Sequence, residues 1–133
     1  MTLNSQDREN IIKYRIERSY STFNEAKYNA EAEFWNLVSN RLYYSTFYIC
    51  QALLLDNEIP ANSHAGVHRM IGHHFVNKGL LSKEEGRLMS RLFRMRQTGD
   101  YNDLYDWKKE DILPLFEPTE NLINKIRSLI KID

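Results

Sequence analysis

The densest chemistry in this 133-residue chain lies in Arg96-Gln97-Thr98-Gly99-Asp100-Tyr101. A guanidinium and a carboxylate four residues apart can pair, and such a pair can hold a phosphate or orient a hydroxyl. The plainer expectation is an Arg–Asp bridge closing a helix end over the loop that follows. Just upstream, Arg87, Arg91 and Arg94 fall at i, i+4 and i+7, one face of a helix. They read either as a solvated basic face paired with acids on a neighbouring helix or as a phosphate-contacting strip. Arg96 is off that face.

The four histidines, His64, His68, His73 and His74, lie close together. His64 and His68 are four apart, which can place two imidazoles on one metal. No third ligand is evident and the HExxH pattern is absent. The expectation is therefore no metal and no cofactor, with His64 a structural or anion-facing residue at a helix start. Nothing in the spacing of Ser, His and Asp suggests a catalytic triad, and no glycine-rich phosphate loop occurs. The single Cys50 sits in aromatic, uncharged sequence and reads as a buried thiol rather than a nucleophile.

These residues need elements to position them. The stretch from Phe34 to Leu55 carries one formal charge, Arg41, and is otherwise largely aromatic, aliphatic or small. Phe34, Leu37, Val38, Leu42, Ser45, Ile49, Ala52 and Leu53 share one side, and aromatic residues cover most of the rest. A helix apolar nearly all round is buried nearly all round. Twenty-two residues at 1.5 Å each give roughly 33 Å, long enough for a bilayer, but Asn36, Asn40, Arg41 and Gln51 are too polar for a lone span. The stretch reads as the central helix of a helical bundle, with no membrane role. Its arginine then needs a carboxylate, a dimer partner or a bound anion.

Around it, a first helix is expected from a start at Ser5 to about Ala32. Its core face takes Ile11 or Ile12, Ile16, Tyr20, Phe23, Ala26 or Lys27, and Ala30. Neither Gly nor Pro occurs before residue 60, so the first two helices should meet at a tight bend near residues 30–34. Ser63 can cap a third helix, His64 to about Asn77. Ser82 and Glu85 have capping-box spacing and open a fourth, Lys83 to about Thr98, with Leu88, Leu92, Phe93 and Met95 inward and Gly99 as its stop. Residues 100–106 should form a loop over the bundle. A last helix lies between Lys108 and Lys131, its first half disturbed by Pro114 and Pro118.

The fold class expected is all-α, an up-and-down bundle of four main helices plus a shorter one, forming a single domain over residues 1–133. Lys plus Arg and Asp plus Glu number 18 each, which excludes a whole-chain attraction to polyanions but not a local one. One cysteine and a polar N-terminal stretch suggest the cytoplasm.

Three strings then carry a resemblance. Asn40-Arg41-Leu42-Tyr43-Tyr44-Ser45-Thr46-Phe47, Ser63-His64-Ala65-Gly66-Val67 with His74-Phe75-Val76, and Arg96-x-x-x-Asp100-Tyr101 occur in the order found in HEPN (higher eukaryotes and prokaryotes nucleotide-binding) domains. The chain resembles that family over about residues 8–131. The resemblance implies a bundle of four or five helices and a homodimer with polar residues near the dimer cleft. It also implies a minimal nucleotidyltransferase as partner, often in a toxin–antitoxin or phage-defence pair. Catalytic members are metal-independent ribonucleases with an arginine followed after four to six residues by a histidine. This chain has no histidine after His74. Arg69 and His74 satisfy the spacing only in the earlier helix.

The loss matters because RNA cleavage without metal needs a base and an acid near neutral pH, roles that suit histidine. The leading expectation is a binding and assembly module. In it Asn40, Arg41 and Tyr44 face Arg96, Asp100 and Tyr101, the arginines holding nucleotide or RNA phosphates and Asp100 orienting one of them. A divergent ribonuclease using Arg96, Asp100 and His64 is the enzymatic alternative. A purely structural dimerisation or interaction subunit is the third, and its partner could also modify an exposed tyrosine such as Tyr101. A functional cleft should leave Arg41 or Arg96 open to solvent, whereas a structural network should bury both.

Overall fold

The computed structural model describes residues 4–101 and 105–132. It is all-helical among those residues. Helix α1 spans Ser5–Glu31, α2 Trp35–Asp56 and α3 His64–Ile71, which runs on into a wider π turn at Gly72–Val76. Helix α4 spans Lys83–Tyr101 and α5 Lys109–Ile112; a 3-10 turn at Leu113–Leu115 leads into α6, Phe116–Leu129. The four long helices and the shorter α3 match the expected bundle. The prolines act where expected, Pro114 in the 3-10 turn and Pro118 in the first turn of α6, where a missing N–H costs nothing.

Local chemistry sets most boundaries. Asn4, not Ser5, caps α1: its Oδ1 accepts the Asp7 N–H at 2.8 Å. Glu33 takes a left-handed conformation, φ 63°, and turns the chain from α1 into α2 within three residues. The Ser63 hydroxyl accepts the Gly66 N–H at 2.9 Å. Ser82 and Glu85 form the reciprocal box, with bonds of 2.7 and 3.0 Å.

Helix α2 is the centre of the bundle, packed against α1, α3, α4, α5 and α6. Val38, Leu42, Ile49, Ala52 and Leu53 are fully buried. Ser19 of α1 donates to the Ser45 carbonyl of α2 at 2.6 Å, so α1 meets α2 through small residues at close range. Ser19 thus takes the core position expected of Tyr20, which is exposed. Cys50 is buried with its Sγ 3.6 Å from Met89 Sδ, and burial pushes its thiol up to about 12. It is a packing residue.

One expectation about α2 fails usefully. Phe34 and Leu37 are 58% and 52% exposed. With Asn40, Arg41, Tyr44 and Tyr48, all only partly buried, they form a face that the bundle leaves uncovered. No helix among the described residues is long and apolar enough to cross a membrane.

Gly99 does not stop α4, which continues to Tyr101. The glycine serves a close approach instead. The Trp107 indole N–H donates to the Met95 carbonyl at 3.0 Å, and a Cβ at position 99 would lie 3.1 Å from that nitrogen. The Trp107 backbone N–H is also held, by Asn36 Oδ1 at 2.8 Å. Tyr105 to Trp107 therefore lie over the bundle, as expected of this segment; residues 102–104 fall outside the described residues. Gly99→Ala should gain about 1 kcal/mol of helix propensity yet lose more by displacing a doubly anchored ring, for a net cost of about 1 kcal/mol. Urea melts and Trp107 emission in a Trp35→Phe background check this. A stabilised variant with unshifted emission would show that the indole can give way.

Candidate functional site

The extra turn of α4 decides the geometry. It places Asp100 one turn beyond Arg96 on the same face, with Tyr101 beside it. Asn40 Nδ2 of α2 donates to Asp100 Oδ2 at 2.9 Å. Asn40 Oδ1 accepts Arg41 Nε and Nη2 at 3.0 and 2.6 Å. Arg96 Nη1 lies 3.7 Å from Asp100 Oδ2 and donates to the Tyr101 hydroxyl at 3.3 Å. The residues expected to converge, Asn40, Arg41, Tyr44, Arg96, Asp100 and Tyr101, do converge.

The counter-charge of Arg41 differs from expectation. Its Nη1 pairs with Glu25 of α1 at 3.0 Å, and it reaches Asp100 only through Asn40. Both partners are partly exposed, so the ion pair itself stabilises by about 1 kcal/mol or less. A continuous chain, Glu25–Arg41–Asn40–Asp100–Arg96–Tyr101, thus ties α1, α2 and α4 together.

The two arginines differ in access. Arg41 keeps 25% of its side chain exposed, whereas Arg96 keeps only 7%. The Arg96 guanidinium lies 5.1 Å from the centre of the Tyr43 ring and within 5.7 Å of Tyr44, Phe93 and Tyr101. Such an aromatic cage favours a desolvated cation. Its Nε is buried without a hydrogen-bond partner. Tyr101, which flanks the guanidinium, is 75% exposed. Arg96 therefore acts from beneath, holding Asp100 and Tyr101, while Arg41 and Tyr101 meet solvent.

Sequence reasoning treated Tyr43 as a packing residue and missed its hydroxyl. That hydroxyl stands 2.7 Å from His64 Nδ1 and 3.1 Å from His68 Nε2. Only the i, i+4 spacing of the histidines hinted at it. They converge, but on a phenol, and among the described residues no three metal-ligating side chains gather. His64 stacks on Phe47 at 4.3 Å. Burial and then the Arg96 charge lower its pKa below the usual range. His68 is pushed down to about 4, by burial first, then by His64 and Arg96. Burial raises the Tyr43 phenol, offset in part by Arg96. Burial thus biases all three groups toward their neutral forms, and the neighbouring cation adds to this for the two histidines.

A family model described as the HEPN domain matches residues 12–129. The chain belongs to the HEPN family. This HEPN chain is similar to a UPF0332 protein of Thermotoga maritima, 32% identical over 125 residues, or 94% of this chain and 95% of that one. It is also similar to two proteins of Methanocaldococcus jannaschii. One, named "Putative toxin MJ0142", is 30% identical over 86% of this chain and 78% of its own length. The other, named "Putative toxin MJ0605", is 30% identical over 97% of this chain and 95% of its own.

Proposed function

We propose that this HEPN domain is a toxin-type module whose α2–α4 cleft binds a nucleotide or the end of an RNA strand. It works in a homodimer and with a minimal nucleotidyltransferase partner, in a toxin–antitoxin or defence pair. The names of the two archaeal relatives support the toxin-type reading. The observation that carries the cleft is the uneven burial of one chain of hydrogen bonds and ion pairs: Arg96 closed beneath, Arg41 and Tyr101 open above. In that arrangement Arg41 holds phosphate, Tyr101 stacks or donates, and Asp100, set by Asn40 and Arg96, orients them. The exposed Phe34 and Leu37, on the same face of α2, support this edge as the contact between copies. The Tyr101 hydroxyl is also an open acceptor for a nucleotidyl group from the partner.

The test is titration of a dinucleotide followed by tyrosine fluorescence or NMR. Arg41→Gln should weaken binding about tenfold or more, the worth of one charge-assisted contact. Unchanged affinity would remove Arg41 from the cleft. Co-purification with a neighbour-encoded nucleotidyltransferase tests the partner.

The second reading is a metal-independent ribonuclease with His64, Arg96 and Asp100. The placement of His64 favours it: its Nδ1 lies 2.7 Å from the hydroxyl of Tyr43, whose ring also carries the Arg96 guanidinium, and an imidazole so placed can accept the 2′-hydroxyl proton. Incubation with total RNA in a chelator decides between them. Cleavage abolished by His64→Gln would establish the enzyme; absence of cleavage leaves the binding module.

A further inference from the structure

The outward face of α4 holds a second cationic feature, separate from Arg96. Lys83, Arg87, Arg91 and Arg94 are all exposed. At 100° per residue they fall within an arc of about 80°, along roughly 16 Å of helix. They form one wall of a groove of about 580 Å³ whose other wall is the α3–π segment, at Gly72 and Val76. Among the described residues none of these four cations has an ion-pair partner, although Arg8, Lys13, Arg41 and Lys125 each have one. The bland reading, a basic face matched by acids on a neighbouring helix, therefore lacks its acids.

Like charges one turn apart destabilise a helix, so the fold gains nothing from this line of charge. The chain as a whole is neutral, which makes a concentrated strip more informative than it would be on a basic protein. Planar guanidinium forks at helical spacing suit successive phosphates. A groove lined along one wall by a row of cations is the arrangement that tracks the backbone of a single strand. Its inner end is His68, whose Nε2 meets Tyr43 beneath the cleft and whose buried Nδ1 has no hydrogen-bond partner.

We propose that this groove is a track for the phosphate backbone of single-stranded RNA, leading toward the α2–α4 cleft. The proposal rests on the nucleic-acid reading above and adds where the rest of the strand lies.

The test compares a fluorescent uridine 12-mer with a uridine dinucleotide too short to span the strip. Both are titrated against wild type, the triple variant R87Q/R91Q/R94Q, its charge-keeping control R87K/R91K/R94K, and R41Q. The three arginines are exposed, so folding should persist, which circular dichroism checks. For single strands each phosphate contact contributes about 0.7 to the slope of log K against log salt, so the triple Gln variant should lose about 2 of that slope. About 20-fold of the wild-type weakening between 50 and 200 mM salt should then disappear. The Lys control should keep the slope, and dinucleotide binding should be unchanged in both triples.

An unaltered slope in the Gln variant, or no 12-mer binding by wild type, overturns the track. Competition by poly-glutamate as effective as by RNA overturns it too, reassigning the groove to an acidic protein. Dinucleotide binding lost in R41Q with an unaltered slope leaves the cleft standing and removes the track. A lost slope with no dinucleotide binding at all leaves the track and removes the cleft.

Discussion

Replacing Arg96 with methionine should leave the fold within about 1 kcal/mol of wild type, while replacing it with alanine should cost about 3 kcal/mol. The side chain fills the space among Tyr43, Tyr44, Phe93 and Tyr101, so alanine leaves a cavity and removes its packing. Methionine restores most of the volume and removes the buried Nε that has no partner. Asp100 is not stranded by either change, since it is partly exposed and keeps Asn40. Stability should therefore follow volume. Function should follow charge: both variants release Tyr101 and Asp100 from their common anchor, and dinucleotide affinity should fall about tenfold in each. Urea melts and the titration measure the two quantities separately. Methionine as destabilising as alanine would mean that the cation itself supports the fold. Methionine with undiminished affinity would make the whole chain of polar contacts a structural network.

Acidification gives the second large effect. His68 is held neutral to about 4, against about 6.5 in an unfolded chain. Between those values the unfolded state binds a proton that the folded state refuses, so stability is full above pH 6.5 and falls as pH drops toward 4. From pH 7.5 to pH 5 the loss due to His68 should be about 2 kcal/mol, or roughly 6 °C in Tm for a domain of this size. The lowered pKa of His64 acts in the same direction. The groups facing His68 are Tyr43, His64 and Arg96, with Lys83, Arg87, Arg91 and Arg94 lining the groove at its other side, and none relieves the penalty by supplying a negative charge near neutral pH. His68→Gln keeps a polar contact for the Tyr43 hydroxyl and removes the titration. Its melts should be markedly flatter over this range. A variant as acid-sensitive as wild type would place the titration elsewhere, among the carboxylates.

Much of the bundle was legible in the residues because helix signals are local. Capping at Ser63 and Ser82 needs only the next three residues. The bend at residues 30–34 was expected as a tight one because neither Gly nor Pro precedes residue 60, and Glu33 makes it in a left-handed conformation. Gly99 misled because a glycine near a helix end has two uses. Whether it frees φ or clears space for a ring depends on Trp107, eight residues on. Tyr20 and Ser19 misled for a related reason, since helical period cannot tell a large boundary residue from a small one at a close helix contact.

The site divides along the same line. Residue types and order established that a guanidinium would sit amid an apolar helix, that Arg96 and Asp100 would be one turn apart if the helix continued, and that the chain is a HEPN domain. Which arginine is closed and which is open was settled by how α1, α2 and α4 pack. So were the choice of Glu25 as partner for Arg41 and the meeting of two imidazoles on the Tyr43 hydroxyl. The physical reason is reach: caps and periodicity act over a few residues of backbone, while burial and ion pairing sum over every element that crowds a side chain, and sequence alone does not say which elements those are.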